Sequence, residues 1–98
     1  MKKLEPIHPG EILREEFLLP MNIEPLRLAD DTGILLEEVE KIVAGKSPVT
    51  PNSALRLSLY FGLSERFWLN LQSRYDLETE KDKVADNLKK EVRILQAA

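Results

Sequence analysis

The sequence predicts an all-α fold of five helices followed by a charged helical tail. Three observations predict it. Apolar residues recur at three- and four-residue spacing, and no stretch alternates as a strand would. Proline stands where the periodic stretches open (Pro9, Pro25, Pro51) and glycine where they close (Gly33, Gly45, Gly62). Residues 81–98 contain no glycine, proline or aromatic residue and keep a helical spacing of their own. There are no internal repeats or low-complexity tracts.

His8-Pro9-Gly10-Glu11 reads as a helix start. Proline lacks only an N–H that has no partner in the first turn, and Glu11 complements the positive end of the helix dipole. Ile12, Leu13, Phe17 and Leu18 then share one face, and Pro20 is expected to end the helix near Leu19. Asn22 suits a left-handed turn residue. The lone histidine, with no second His, Cys or carboxylate cluster beside it, is not assigned a catalytic or ligand role.

The second helix opens around Glu24-Pro25 and ends at Gly33. Leu26, Leu28 and Ala29 are expected inside, with Arg27, Asp30 and Asp31 in water. The third, from about Leu36 to Ala44, turns Val39, Ile42 and Val43 inward and Glu37, Glu38, Glu40 and Lys41 outward. Its start offers Ile34, Leu35 and Leu36 where a capping Ser, Thr, Asp or Asn is usual, a loss of about 1 kcal/mol.

The fourth helix starts from a Thr50 cap and Pro51, carries Ala54, Leu55, Leu57, Leu59 and Phe61, and stops at Gly62. Apolar on most sides, it is expected to be the central buried helix. Ser64 caps the fifth, where Phe67, Trp68, Leu69, Leu71 and Tyr75 form the heaviest aromatic cluster. The pattern divides the chain into a body, residues 1–78, and a charged amphipathic helix, residues 79–98. In the latter, Ala85, Leu88, Val92 and Leu95 make a seam of about two heptads, short of a coiled coil.

Two of these helices form a recognisable unit. From Ile23 to Ser47 a pair of short helices meets at Thr32-Gly33, with Leu28 and Ala29 packed against Val39 and Ile42. This is the pattern of a helix-turn-helix, whose second helix lies in the major groove of DNA. Charge runs against that reading. Residues 1–50 hold six Lys/Arg against ten Asp/Glu, and the whole chain carries −3, whereas DNA-binding domains are ordinarily basic. One modest domain is all that 98 residues allow. No apolar run approaches the roughly 18 residues of a membrane span. The two early lysines have no apolar stretch behind them, so no signal peptide is expected. The absence of cysteine fits the cytoplasm.

These residues resemble the HigA family of addiction-module antitoxins, with a lambda-repressor-like (Cro/C1-type) helix-turn-helix domain. The resemblance rests on His8 to Leu18 (HPGEILREEFL), Leu28-Ala29 with Gly33 and Gly45-Lys46, and Thr50-Pro51 with Ala54 to Ser58. It is completed by Phe67 to Gln72 (FWLNLQ) and Arg74 to Glu78. It implies two partners: a cognate, mRNA-cleaving toxin that the protein neutralises, and the operator of a shared operon, bound by a homodimer that represses transcription. One histidine builds no serine, histidine and acid set, no glycine-rich loop cradles phosphate and no metal-ligand spacing exists, so no enzyme activity, cofactor, metal or small-molecule substrate is expected, and no membrane partner. The family usually begins its second helix with a phosphate-binding glutamine, where this chain has Pro25. It usually shows Ser/Thr, Arg and Asn on its reading helix, where this chain has Leu35-Leu36-Glu37-Glu38.

The candidate DNA contacts are therefore Arg27, Leu36, Glu37, Glu38, Lys41, Lys46 and Arg56. Glu37, Glu38 and Glu40 admit three readings: a solvated face, readers of cytosine N4, or an acidic surface for a basic protein partner. Trp68, Leu71 and Tyr75 are candidates for the core or for a dimer or toxin surface. Leu88, Val92 and Leu95 are candidates for the same surface. The competing reading of the whole is a protein-interaction module on a helix-turn-helix scaffold with little DNA affinity.

Overall fold

The computed structural model describes residues 5–96, so the expectations for residues 1–4 and 97–98 lie outside it. Five helices make up the described chain, and none of it is strand. The first, α1, runs on through three segments, Pro9–Ile12, Leu13–Leu18 and Leu19–Met21. Next come α2 (Pro25–Thr32), α3 (Leu36–Val43), α4 (Pro51–Phe61) and α5 (Glu65–Glu91).

Pro20 does not end α1. Leu13–Leu18 is wound as a π-helix, in which the N–H of Leu19 bonds to the Arg14 carbonyl five residues back. The wider winding displaces the carbonyl that a proline ring would strike in an α-helix, so the helix continues to Met21. Asn22 then takes the left-handed conformation (φ 56°) that ends it.

The core gathers one stripe from each helix. Leu13 and Leu18 of α1, Leu28 and Ala29 of α2, Val39 and Ile42 of α3, Ala54 and Leu57 of α4 and Trp68 of α5 are buried, with Ile34 and Val49 from the connections. Each large apolar side chain so enclosed contributes about 1.5–3 kcal/mol. Phe17, Phe61 and Phe67 ring the indole of Trp68, with centroids 5.2, 6.3 and 4.9 Å away.

Three expected core positions are corrected. Leu26 is exposed, because it lies 200° around α2 from Leu28. The fourth helix is not buried on most sides: it packs through Ser53, Ala54, Leu57 and Ser58, leaving Leu55 and Leu59 exposed. Its two buried serines stay satisfied. Ser53 completes a capping box with Thr50, and the Ser58 hydroxyl donates to the Ser64 carbonyl at 3.0 Å.

The expected fifth helix and tail helix are one rod. Nothing between Tyr75 and Lys81 breaks a helix, so α5 runs unbroken for 27 residues from Glu65 to Glu91. It ends before the seam does. Val92 is extended, and Val92, Ile94 and Leu95 are exposed beyond the helix. With no packing partner there, the β-branched Val92 and Ile94 do not sustain helix. Of the predicted seam only Ala85 and Leu88 are helical. The protruding rod stretches the molecule to 56 Å, with a radius of gyration of 16.9 Å. A compact chain of about 100 residues would have about 13 Å.

Candidate nucleic-acid interface

The joint between α2 and α3 is built as the sequence indicated. Thr32 ends α2 by donating its hydroxyl to the Leu28 carbonyl at 2.6 Å while accepting the Ile34 N–H at 3.2 Å. Gly33, at φ 78°, supplies the left-handed residue that turns the chain, and its N–H closes on the Ala29 carbonyl. Behind α3, Leu28 is fully enclosed and Val39 and Ile42 are 1% exposed. In front, Leu36, Glu37, Glu40 and Lys41 are exposed and Glu38 is half-buried. The helix starts at Leu35 without a side-chain cap, as expected.

Three further attachments fix how α3 sits. Gly10 of α1 lies against the Ile42 carbonyl, close enough that a Cβ on Gly10 would overlap it. His8 caps α1 by accepting the Gly10 N–H on Nδ1 at 2.9 Å, and its ring lies beside Gly45 in the loop leaving α3. Its ring stands edge-on to Tyr75 of α5, centroids 4.9 Å apart. Burial pushes the imidazole pKa below its usual 6.5, against the raising effects of the Ser47 backbone and the Asp76 carboxylate. Finally, Gln72 of α5 is buried and accepts the Val49 N–H at 2.7 Å, tying the α3–α4 loop to α5. Its amide donates to Asp76 at 2.9 Å.

The candidate cations divide into engaged and available. Arg56 of α4 donates through Nη1 to the Thr32 carbonyl at 2.9 Å and through Nε to Asn52 at 2.8 Å. It therefore caps the C-terminal end of α2. Arg27 pairs with Asp31 at 3.5 Å, and Tyr60 donates to the same carboxylate at 2.7 Å. That hydrogen bond raises the Tyr60 pKa above its usual 10. Arg56 and Tyr60 thus stitch α4 to the end of α2, a role that spacing in the sequence does not reveal. Lys41 pairs with Glu37 at 3.0 Å across one turn of α3, both side chains at least half exposed. Lys46 is exposed in the loop after α3, its backbone N–H closing on the Lys41 carbonyl. Among the described residues no cation pairs with Glu38 or Glu40, and no cluster of side chains is arranged to hold a metal ion.

The candidate dimer or toxin residues do not stay together. Trp68 is 0% exposed, so of its two readings the structure favours the core and not a dimer or toxin surface. Leu71 and Tyr75 are half-buried, Tyr75 against His8. Leu88, Val92 and Leu95 are exposed, but only Leu88 on a helix. No helix is long and apolar enough among the described residues to cross a membrane.

No protein-family model matches the chain. It is 43% identical over 83 residues to virulence-associated protein I of Dichelobacter nodosus, covering 84% of this chain and 77% of that one. Among solved structures it is similar to the Pseudomonas aeruginosa antitoxin HigA with the higBA promoter. There the TM-score is 0.91 and identity 39%, over 94% of this chain and all of that one. An addiction-module antidote protein of the HigA family from Coxiella burnetii superposes with a TM-score of 0.89. It is 38% identical, with 94% and 100% coverage.

Proposed function

This chain belongs to the HigA family of addiction-module antitoxins, and from that premise we propose that it neutralises a cognate mRNA-cleaving toxin and, as a dimer, binds operator DNA to repress its own operon. The observation that carries the reading is the mounting of α3. It is anchored from behind by Leu28, Gly10, His8 and Gln72 and presents Leu36, Glu37 and Lys41 outward. In a major groove, Leu36 and Glu37 reach base edges, and Lys41 and Lys46 reach flanking phosphates. A dimer repeats the contact on a palindromic site.

The acidic face is compatible with this use. The Glu37–Lys41 pair is exposed and worth at most about 1 kcal/mol, so Lys41 exchanges it readily for a phosphate while Glu37 turns to a cytosine N4. Arg27 and Arg56 support the turn and add positive charge beside it. The reading assigns the protein to the cytoplasm, with no catalytic step, cofactor or small-molecule substrate.

A salt series of gel shifts with the promoter of its own operon tests the proposal. Specific retardation that weakens steeply with salt is the expected result. Promoter and scrambled DNA bound equally weakly at low salt would reject the operator role. It would leave the second reading, a toxin-binding module, which Glu38 and Glu40, without a cation among the described residues, favour.

A further inference from the structure

Leu35 stands at the entrance to α3 with 77% of its surface exposed, and Leu36 beside it is 38% exposed. Position 35 is the N-cap of the helix. Its backbone is still extended (φ −59°, ψ 139°), while its carbonyl already accepts the Val39 N–H at 3.0 Å. Three residues on, Glu38 fills the place that glutamate takes in a capping box. The box lacks only its serine or threonine. A leucine in that place leaves the start of α3 without a side-chain cap and holds an isobutyl group in water. By contrast, α4 and α5 start from Thr50 and Ser64, which do cap. Both consequences of Leu35 oppose folding, so what this side chain serves lies outside the folded chain.

We propose that Leu35, with Leu36 flanking it, reads the 5-methyl groups of thymines in the operator. The proposal rests on the operator reading above and names bases that the protein selects. A recognition helix sets its N-terminal residues against base edges, and Leu35 stands at that end of α3. The base edges in the major groove present donors, acceptors and one apolar group, the thymine methyl. Over any other edge, a leucine would strip water from polar atoms without replacing their hydrogen bonds. Glu37, two residues on, can only accept. That turns it away from guanine N7 and O6 and from thymine O4, and toward cytosine N4. The tip of α3 therefore matches pyrimidine edges, methyl under leucine and amine under glutamate. A protein partner fits it less well. Two leucines followed at once by Glu37 and Glu38 make a patch far smaller than the apolar centre of a protein interface, but one suited to one or two methyl groups.

Uracil keeps every major-groove group of thymine except the methyl, so exchanging thymines for deoxyuridines one at a time along the promoter duplex isolates that contact. Fluorescence anisotropy should show affinity falling about fourfold at one or two positions in each half-site, the contribution of one buried methyl. Leu35→Ala should bind the native promoter more weakly by a similar factor and lose the thymine–uracil difference at one of those positions. Leu35→Ser completes the capping box, so it should melt at a higher temperature than the native chain while losing the same discrimination. A variant that is more stable yet reads less does not owe its loss to unfolding. Uridine exchange without effect at any position, or equal losses in Leu35→Ala and the native chain, overturns the thymine contact and leaves the operator reading standing. Leu35→Ala that keeps the uridine losses and instead weakens binding of the cognate toxin assigns the leucine to the protein partner and also overturns it. A native chain that does not distinguish the promoter from scrambled DNA overturns both.

Discussion

Gly10 and Ile42 meet backbone to backbone. α1 crosses the end of α3 so closely that the Ile42 carbonyl oxygen occupies the space a Cβ at position 10 would need. Gly10→Ala must therefore separate the two helices, at a cost of about 1–3 kcal/mol. Urea denaturation is expected to show an unfolding free energy lower by that amount. Because the displaced element is α3, operator affinity should fall even at temperatures where the variant stays folded. Unchanged stability would mean that the two helices part freely.

Charge on α3 gives a second prediction. Changing Glu37, Glu38 and Glu40 together to glutamine removes three like charges from a surface set against phosphates and frees Lys41 from its ion pair. Affinity for non-specific duplex DNA should rise at least severalfold at low salt, with a steeper salt dependence. Fluorescence anisotropy with a labelled duplex measures both. Unaltered affinity would show that α3 does not face the nucleic acid.

His8 yields a pH prediction. Its folded pKa is depressed, chiefly by burial, so the unfolded chain binds the proton more readily. The stability it contributes is complete above the unfolded value of about 6.5 and declines as pH falls through the lower folded value. Protonation also removes the lone pair on Nδ1 that caps α1. Melting temperature should drop as pH falls below about 6.5. Replacing His8 by Asn, which can still accept the Gly10 N–H, should flatten that part of the profile. An equally steep profile in His8→Asn would place the titration elsewhere.

Local chemistry made much of this molecule readable. Thr50-Pro51, Gly33, Asn22 and the opening His8-Pro9-Gly10 act within a few residues, and each does in the structure what its chemistry requires. What stayed hidden depends on neighbours distant in the chain or on the absence of one. Arg56 reads as a free surface cation until Thr32 is seen 24 residues away. Gln72 carries no signal of its own in the sequence, and only the fold shows it holding the Val49 N–H. Pro20 reads as a terminator because the π winding before it leaves no composition signal. Val92 and Leu95 keep the spacing of a helix that, without a partner, stops at Glu91 before reaching either. In the candidate interface, spacing gave the orientation of α3 but not which cations were already committed.

The rod that carries α5 past the body also changes how a single molecule travels. An object 56 Å long and 21 Å thin meets more friction than a sphere of its mass of 11.2 kDa. It passes through a porous bed early and sediments slowly. A lone copy can therefore elute from a sizing column at the position of a heavier globule, so weight must be read from scattered light rather than from elution.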